Sequence, residues 1–431
     1  MTRLTFALVV LAALCGPVLA QESASPGASS AGDSLYAGLG NGGYDAAHYT
    51  IQLTVDPAAR TISGSLRLDA TALQTLSAFN LDLVGLDVAR VLVDTLPAQF
   101  TRSGRELTVT PLVPIPAGAP FHVQVDYSGT PQPIADPSLG AQIGLNFTRD
   151  GAYVASEPDG AATWYPVNDH PSDKASYTFV LTVPEGLTAV ANGVLADRQT
   201  AGGWTTFTWS MPQPMASYLA LMAVGDYRIV QADPAGDVPL RNVFPTDYAD
   251  AGVQVFGRQD EMLSFFADTF GAYPFDAYGA LVIPQALGFA LETQSLSLFG
   301  LPMLVQGLAG GGRSEEVIAH ELAHSWFGDA LSPADWGDIW LNEGFATYAS
   351  WLWFEHTRGP EALDQIVRDN YAQFSGQALL DAGYSEADVR AIMTRFGAPG
   401  SPPADDLFNM AVYFRGALLL HALRVALGDD V

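Results

Sequence analysis

His320-Glu321-Leu322-Ala323-His324 is the stretch most able to do chemistry, and eighteen residues separate its second histidine from Glu343. Histidines at i and i+4 lie one helical turn apart, so both imidazoles leave the same helix face. Two ring nitrogens can then meet one zinc ion, with Glu321 a step around the helix beside the metal's open position. Glu343 sits in Asp338-Ile339-Trp340-Leu341-Asn342-Glu343-Gly344-Phe345-Ala346, an apolar helix start able to supply a carboxylate as third ligand. Three protein ligands leave one position for water, which is the arrangement of a catalytic zinc. Glu321, next to that water, reads as the general base that later returns the proton to the leaving group. Asp338 is placed to orient His320 or His324, or equally to sit exposed at a helix start.

The competing reading is a solvated helix face that carries two histidines and a glutamate by chance. Both readings share the helix, which Ser314-Glu315-Glu316 supports with an N-cap hydroxyl and first-turn carboxylates. A chance H-E-x-x-H arises in roughly one chain in a hundred of this histidine content. Glu343 at a workable distance separates the readings, and the pattern implies a zinc hydrolase with one zinc per chain.

The flanking residues carry a resemblance. Residues 320–348 read HELAHSWFGDALSPADWGDIWLNEGFATY, which resembles the aminopeptidase N family of gluzincin metallopeptidases. Gly288-Phe289-Ala290-Leu291-Glu292-Thr293 resembles that family's loop for the substrate amine, usually Gly-Ala-Met-Glu-Asn, with Phe289 and Thr293 as departures. Tyr413-Phe414-Arg415-Gly416 is similar to its Tyr-x-Lys-Gly, with arginine for lysine. Residues 164–171, WYPVNDHP, are similar to its Phe-Pro-Cys-x-Asp-x-Pro segment. The resemblance implies a zinc aminopeptidase acting on peptides with a free N-terminus. Tyr413 would donate to the developing oxyanion, and Glu292 would share the substrate amine with Glu343. The backbone of Gly288, Phe289 and Ala290 would take the peptide as an added strand. Glu157 falls where the family often has a glutamine facing substrate. An endopeptidase or an epoxide hydrolase on the same scaffold, or an idle secreted binding protein, remain alternatives.

A chain of 431 residues suggests two domains or more. Its 48% hydrophobic and 15% charged residues are those of a globular protein. A net charge of −27 excludes nucleic acid as a natural partner. Arg3, the apolar run Leu4 to Leu14 and Val18-Leu19-Ala20 read as a cleaved signal peptide over residues 1–20, hence a secreted or periplasmic protein. The single cysteine, Cys15, lies inside it, so the mature chain would hold no disulfide, and no other stretch reads as a membrane span.

Residues 21–43, rich in Ser, Ala and Gly, read as a flexible leader. From Tyr44 the apolar period is two, as in Tyr49-Ile51-Leu53-Val55 and Tyr177-Phe179-Leu181-Val183, which predicts an antiparallel β-sandwich or saddle domain over 44–229. Gln231 to Pro239 reads as a linker or crossover. Beyond it the period becomes helical: a helix through Met262, Phe265, Phe266 and Thr269 ends at Gly271, and others cover Glu315–Phe327, Ile339–His356 and Leu407–Leu427. The resemblance makes residues 230–431 an α+β thermolysin-like catalytic domain behind a mainly-β N-terminal domain. Similar enzymes continue with a helical C-terminal domain, so it also implies a fragment or a minimal member. His48, His122, His170, His356 and His421 lack ligand spacing and read as structural.

Overall fold

Alternation at Tyr49, Ile51, Leu53 and Val55 puts four apolar side chains on one face of a strand, and all four are buried. The computed structural model describes residues 23–429, so the signal-peptide reading and Cys15 lie outside the described residues. That strand, Tyr44–Asp56, lies in the middle of an eight-stranded sheet. It pairs antiparallel with Thr61–Ala72 and parallel with Ala175–Pro184. The parallel pair departs from the antiparallel expectation. The two strands are joined by a long excursion through other strands, and a hairpin turn does not dictate their direction. Tyr49 stacks on Tyr177 across that pair, ring centroids 5.1 Å apart.

A second, five-stranded sheet contains Ala152–Ala155, whose end delivers Ser156 and Glu157 toward the other domain. The next sheet opens with Tyr227–Ala235 and Val238–Pro245, which pair antiparallel. Residues 231–239 therefore form a hairpin of the catalytic sheet rather than a linker. Ala280–Ile283 and Ser297–Gly300 complete that sheet in parallel. Helices Ala249–Val255 and Gln259–Phe270, the latter ended by Gly271 at φ 99°, precede these two strands, and Leu301–Leu308, Gly312–Ala323 and Trp340–Arg358 follow them. Three more, Pro360–Phe374, Gln377–Asp381 and Glu386–Phe396, precede the helix Gly416–Leu427. No helix among the described residues is long and apolar enough to cross a membrane.

Residues 23–43 are packed, contrary to the flexible-leader reading. Ser25–Pro26 pairs with Leu76–Asp82, and Asp33 is buried. Asp33 Oδ2 accepts from the Trp336 backbone amide at 2.8 Å and sits 3.1 Å from His170 Nε2. Ser34 adds its amide and hydroxyl to the carboxylate of Asp335. Composition favoured a flexible segment, but a buried carboxylate with four hydrogen-bond partners holds one conformation. Trp336, Ile339 and Val412 of the helical half share one apolar core with the β-sheets.

Candidate active site

The helix Gly312–Ala323 begins two residues before Ser314, and its N-cap, Gly311, makes no side-chain cap. Ser314 is not the cap, because its hydroxyl donates to the Met303 carbonyl at 3.0 Å. Spacing along that helix brings Glu316, Val317, His320, Glu321 and His324 onto one wall of a cavity of about 1000 Å³.

At the end of this helix three donors converge. His320 Nε2 lies 3.1 Å from Glu343 Oε2, His324 Nε2 lies 3.4 Å from the same oxygen, and the two Nε2 atoms are 3.0 Å apart. A tetrahedral zinc with ligands at about 2.0–2.1 Å separates them by roughly 3.3 Å, so this donor set fits the ion. The ring orientation fits too. His324 Nδ1 is 2.9 Å from the Phe327 carbonyl, so its N–H points there and Nε2 keeps its lone pair. His320 Nδ1 faces Thr347 Oγ1 at 3.4 Å in the same sense. Asp338 takes no part, for it stands exposed in the turn Trp336–Asp338. Thr347 was missed by sequence reading, although it follows Glu343 by four residues on one helix face.

Glu321 is buried, and its carboxylate lies with Glu292 and His324 in one group whose ligand atoms are all within 4.8 Å. Glu157 and Glu292 are buried on the cavity wall, and each has an Oε1 without a hydrogen-bond partner. Such orphaned carboxylate oxygens are costly unless a cation meets them. Burial pushes Glu321 well above the usual carboxyl range; His324 opposes this, and Glu292 and Glu343 add to it. Burial also raises Glu157, helped by Glu292 and Glu343. Burial acts upward on Glu343 as well, but His324 and His320 outweigh it and hold the group at about 2. These directions come from the protein's own charges, and a cation among the donors would pull every carboxylate down.

Tyr413 comes from a separate segment. Instead of the continuous helix expected from Leu407, the chain makes a π-helical turn, Ala411–Arg415, before Gly416–Leu427. Its ring lies nearly parallel to His320 at 6.0 Å. Gly344 and Gly416 make that approach possible, since a Cβ on either would stand 3.0 Å or less from the other's Cα. The glycine that closes Tyr-Phe-Arg-Gly is thus a packing requirement between two helix backbones. Arg415, in the lysine position, donates to the carbonyls of Phe374 and Met393 at 3.2 Å each.

Gly288, Phe289 and Ala290 line the same cavity. A bridge between Leu291 and Leu298 places this segment just beyond the edge of the catalytic sheet. A Cβ on Gly288 would meet nothing within 4 Å, so the backbone there stands open. Ser138, Leu139, Phe408 and Met410 complete the wall from distant segments, and nothing in their local sequence announces them.

Residues 45–219 match the peptidase M1 N-terminal domain, and residues 255–431 match the peptidase family M1 domain. An M1 zinc metallopeptidase of Deinococcus radiodurans, crystallised with a Tyr-Ser-Ala substrate, is 32% identical, with a TM-score of 0.81 over 93% of this chain and 87% of that one. The chain belongs to peptidase family M1. Aminopeptidase B of Rattus norvegicus is 30% identical over 271 residues, 62% of this chain and 39% of that protein. Aminopeptidase B of Mus musculus is 27% identical over 401 residues, 87% of this chain and 58% of that protein. The chain thus spans between 39% and 58% of the length of these curated relatives. An M1 protein implies zinc, and the site built by His320, His324 and Glu343 is suited to hold it.

Proposed function

We propose that this M1 protein is a secreted zinc aminopeptidase, with one zinc per chain, that removes the N-terminal residue from peptides. The observation carrying this reading is the pair of orphaned, buried carboxylates of Glu157 and Glu292 beside the zinc donors. An ammonium is the cation that would satisfy both, and only an unblocked chain end offers one next to a scissile bond. The names of the relatives agree, since Aminopeptidase B and Aminopeptidase N recur among them. Export rests on the signal-like residues 1–20.

His320, His324 and Glu343 hold the ion. Bound zinc supplies Lewis acidity toward the scissile carbonyl and lowers the pKa of water toward about 7. Glu321 takes a proton from the attacking water and passes it to the leaving amine. Tyr413 donates its hydroxyl to the developing oxyanion. Burial, with Glu343 and Glu157 beside it, keeps that hydroxyl protonated as a donor must be. Glu292 and Glu157 hold the ammonium and so set the cut one residue in.

Tyr413→Phe removes one hydroxyl and little volume, so folding and zinc content should survive. Its kcat should fall by roughly 10²–10³ with little change in KM. Steady-state kinetics on an aminoacyl amide measures this, and a wild-type kcat returns Tyr413 to a packing role.

The aminopeptidase reading is tested by a four-way cycle of wild type and Glu292→Ala against free and N-acetylated peptides. Each change should raise KM strongly, and the two losses should not add, because both break one contact. Internal cleavage of acetylated peptides as fast as trimming of free ones would make the enzyme an endopeptidase.

A further inference from the structure

The charges on the cavity wall are unevenly placed. Five glutamates line it, Glu157, Glu292, Glu316, Glu321 and Glu343, of which four surround the zinc donors or the amine end. Among the described residues Arg313 is the only arginine or lysine on that wall. Arg313, Glu316, Val317, His320, Glu321 and His324 recur at helical spacing, so one helix face runs as the cavity floor from Arg313 to the metal donors. Arg313 is exposed, and no described carboxylate lies within ion-pair distance of it. Its charge is felt by Glu316, which burial raises and Arg313 opposes. The helix also starts here without a side-chain cap, because its N-cap residue is Gly311. First-turn amides therefore add positive potential where Arg313 stands.

We propose that Arg313 receives the C-terminal carboxylate of the substrate, which makes short peptides, tripeptides above all, the preferred substrate class. The inference rests on the aminopeptidase reading. Seven residues at a rise of 1.5 Å put Arg313 roughly 10 Å along the helix from His320. Extended peptide covers at most about 3.5 Å per residue, so two residues past the cut carry the carboxylate roughly 7 Å from the zinc. The arginine side chain spans the remaining few ångströms. A dipeptide falls short by about another residue, and in a longer chain the carboxylate passes beyond the guanidinium. The acidic end would take the ammonium and the basic end the carboxylate, so the cavity reads both termini of one small molecule.

The test compares trialanine with trialanine amide on the zinc-loaded full chain, as wild type and as Arg313→Gln. In the wild type, amidation should raise KM about tenfold and leave kcat nearly unchanged, the signature of a lost charge-assisted contact. In Arg313→Gln the free and amidated peptides should differ by less than about twofold, and Arg313→Lys should restore part of the gap. Arg313 is exposed, so thermal melts of these variants should match the wild type. Equal KM values for both peptides in the wild type overturn the proposal, as does an equal amidation penalty in wild type and Arg313→Gln. Those outcomes leave the aminopeptidase reading intact. Failure to hydrolyse either peptide overturns both.

Discussion

Glu321→Gln should keep its zinc and lose turnover by roughly 10²–10⁴. The substitution is nearly isosteric, and Glu321 is not among the three converging donors, His320 Nε2, His324 Nε2 and Glu343 Oε2. A carboxamide cannot accept the water's proton, so the loss falls on kcat with little change in substrate affinity. Folding should not suffer. Glu321 is buried beside Glu292 and Glu343, and removing one negative charge from that group relieves repulsion. Zinc by elemental analysis, a thermal melt and single-turnover kinetics on one sample separate these effects. Zinc retained with wild-type turnover would show that another group moves the proton.

His324→Ala acts on the metal itself, and here activity should vanish because zinc is lost. One of three donors goes, and the Phe327 carbonyl loses its ring N–H partner. Zinc content should fall below about a tenth of an ion per chain after dialysis, and added zinc should not raise the melting temperature as it does for the wild type. Chelator should bring wild-type protein to the same inactive state, from which zinc restores only the wild type. Thr347→Ala gives a graded control. It removes the hydroxyl facing His320 Nδ1 while leaving all donors, and should weaken zinc affinity by about 10–100-fold. Full zinc occupancy in His324→Ala would refute the donor assignment.

The candidate residues for the chemistry were legible because each belongs to a short pattern with its own geometry. His320 and His324 share a helix face by arithmetic, and strand alternation at Tyr49 and Tyr177 puts those rings in the core. The Gly271 stop and the helices carrying the motif were legible for the same local reason. Local pattern misled where long-range contacts decide. Residues 23–43 look like a leader by composition, yet Asp33 is fastened to Trp336 and His170, which are distant in the chain. The 231–239 segment is polar and exposed on one side, so its hairpin shows only in its pairing with Val238–Pro245.

Tyr413 marks the boundary most clearly. Its motif could be matched, but its approach to His320 depends on Gly344 meeting Gly416 across two helices and on a π-helical turn that periodicity cannot reveal. Glu157 is a similar case: the sequence only matched it to a substrate-facing position of the family, and it lines the cavity because one β-sheet ends against the other domain. The candidate ligand set, the candidate base and the strand and helix periods follow from neighbours within about twenty residues, a range over which helix and strand geometry fix direction. Which distant carboxylates crowd together and which segments wall the cavity depend on packing between segments up to hundreds of residues apart, and only the tertiary structure decided them.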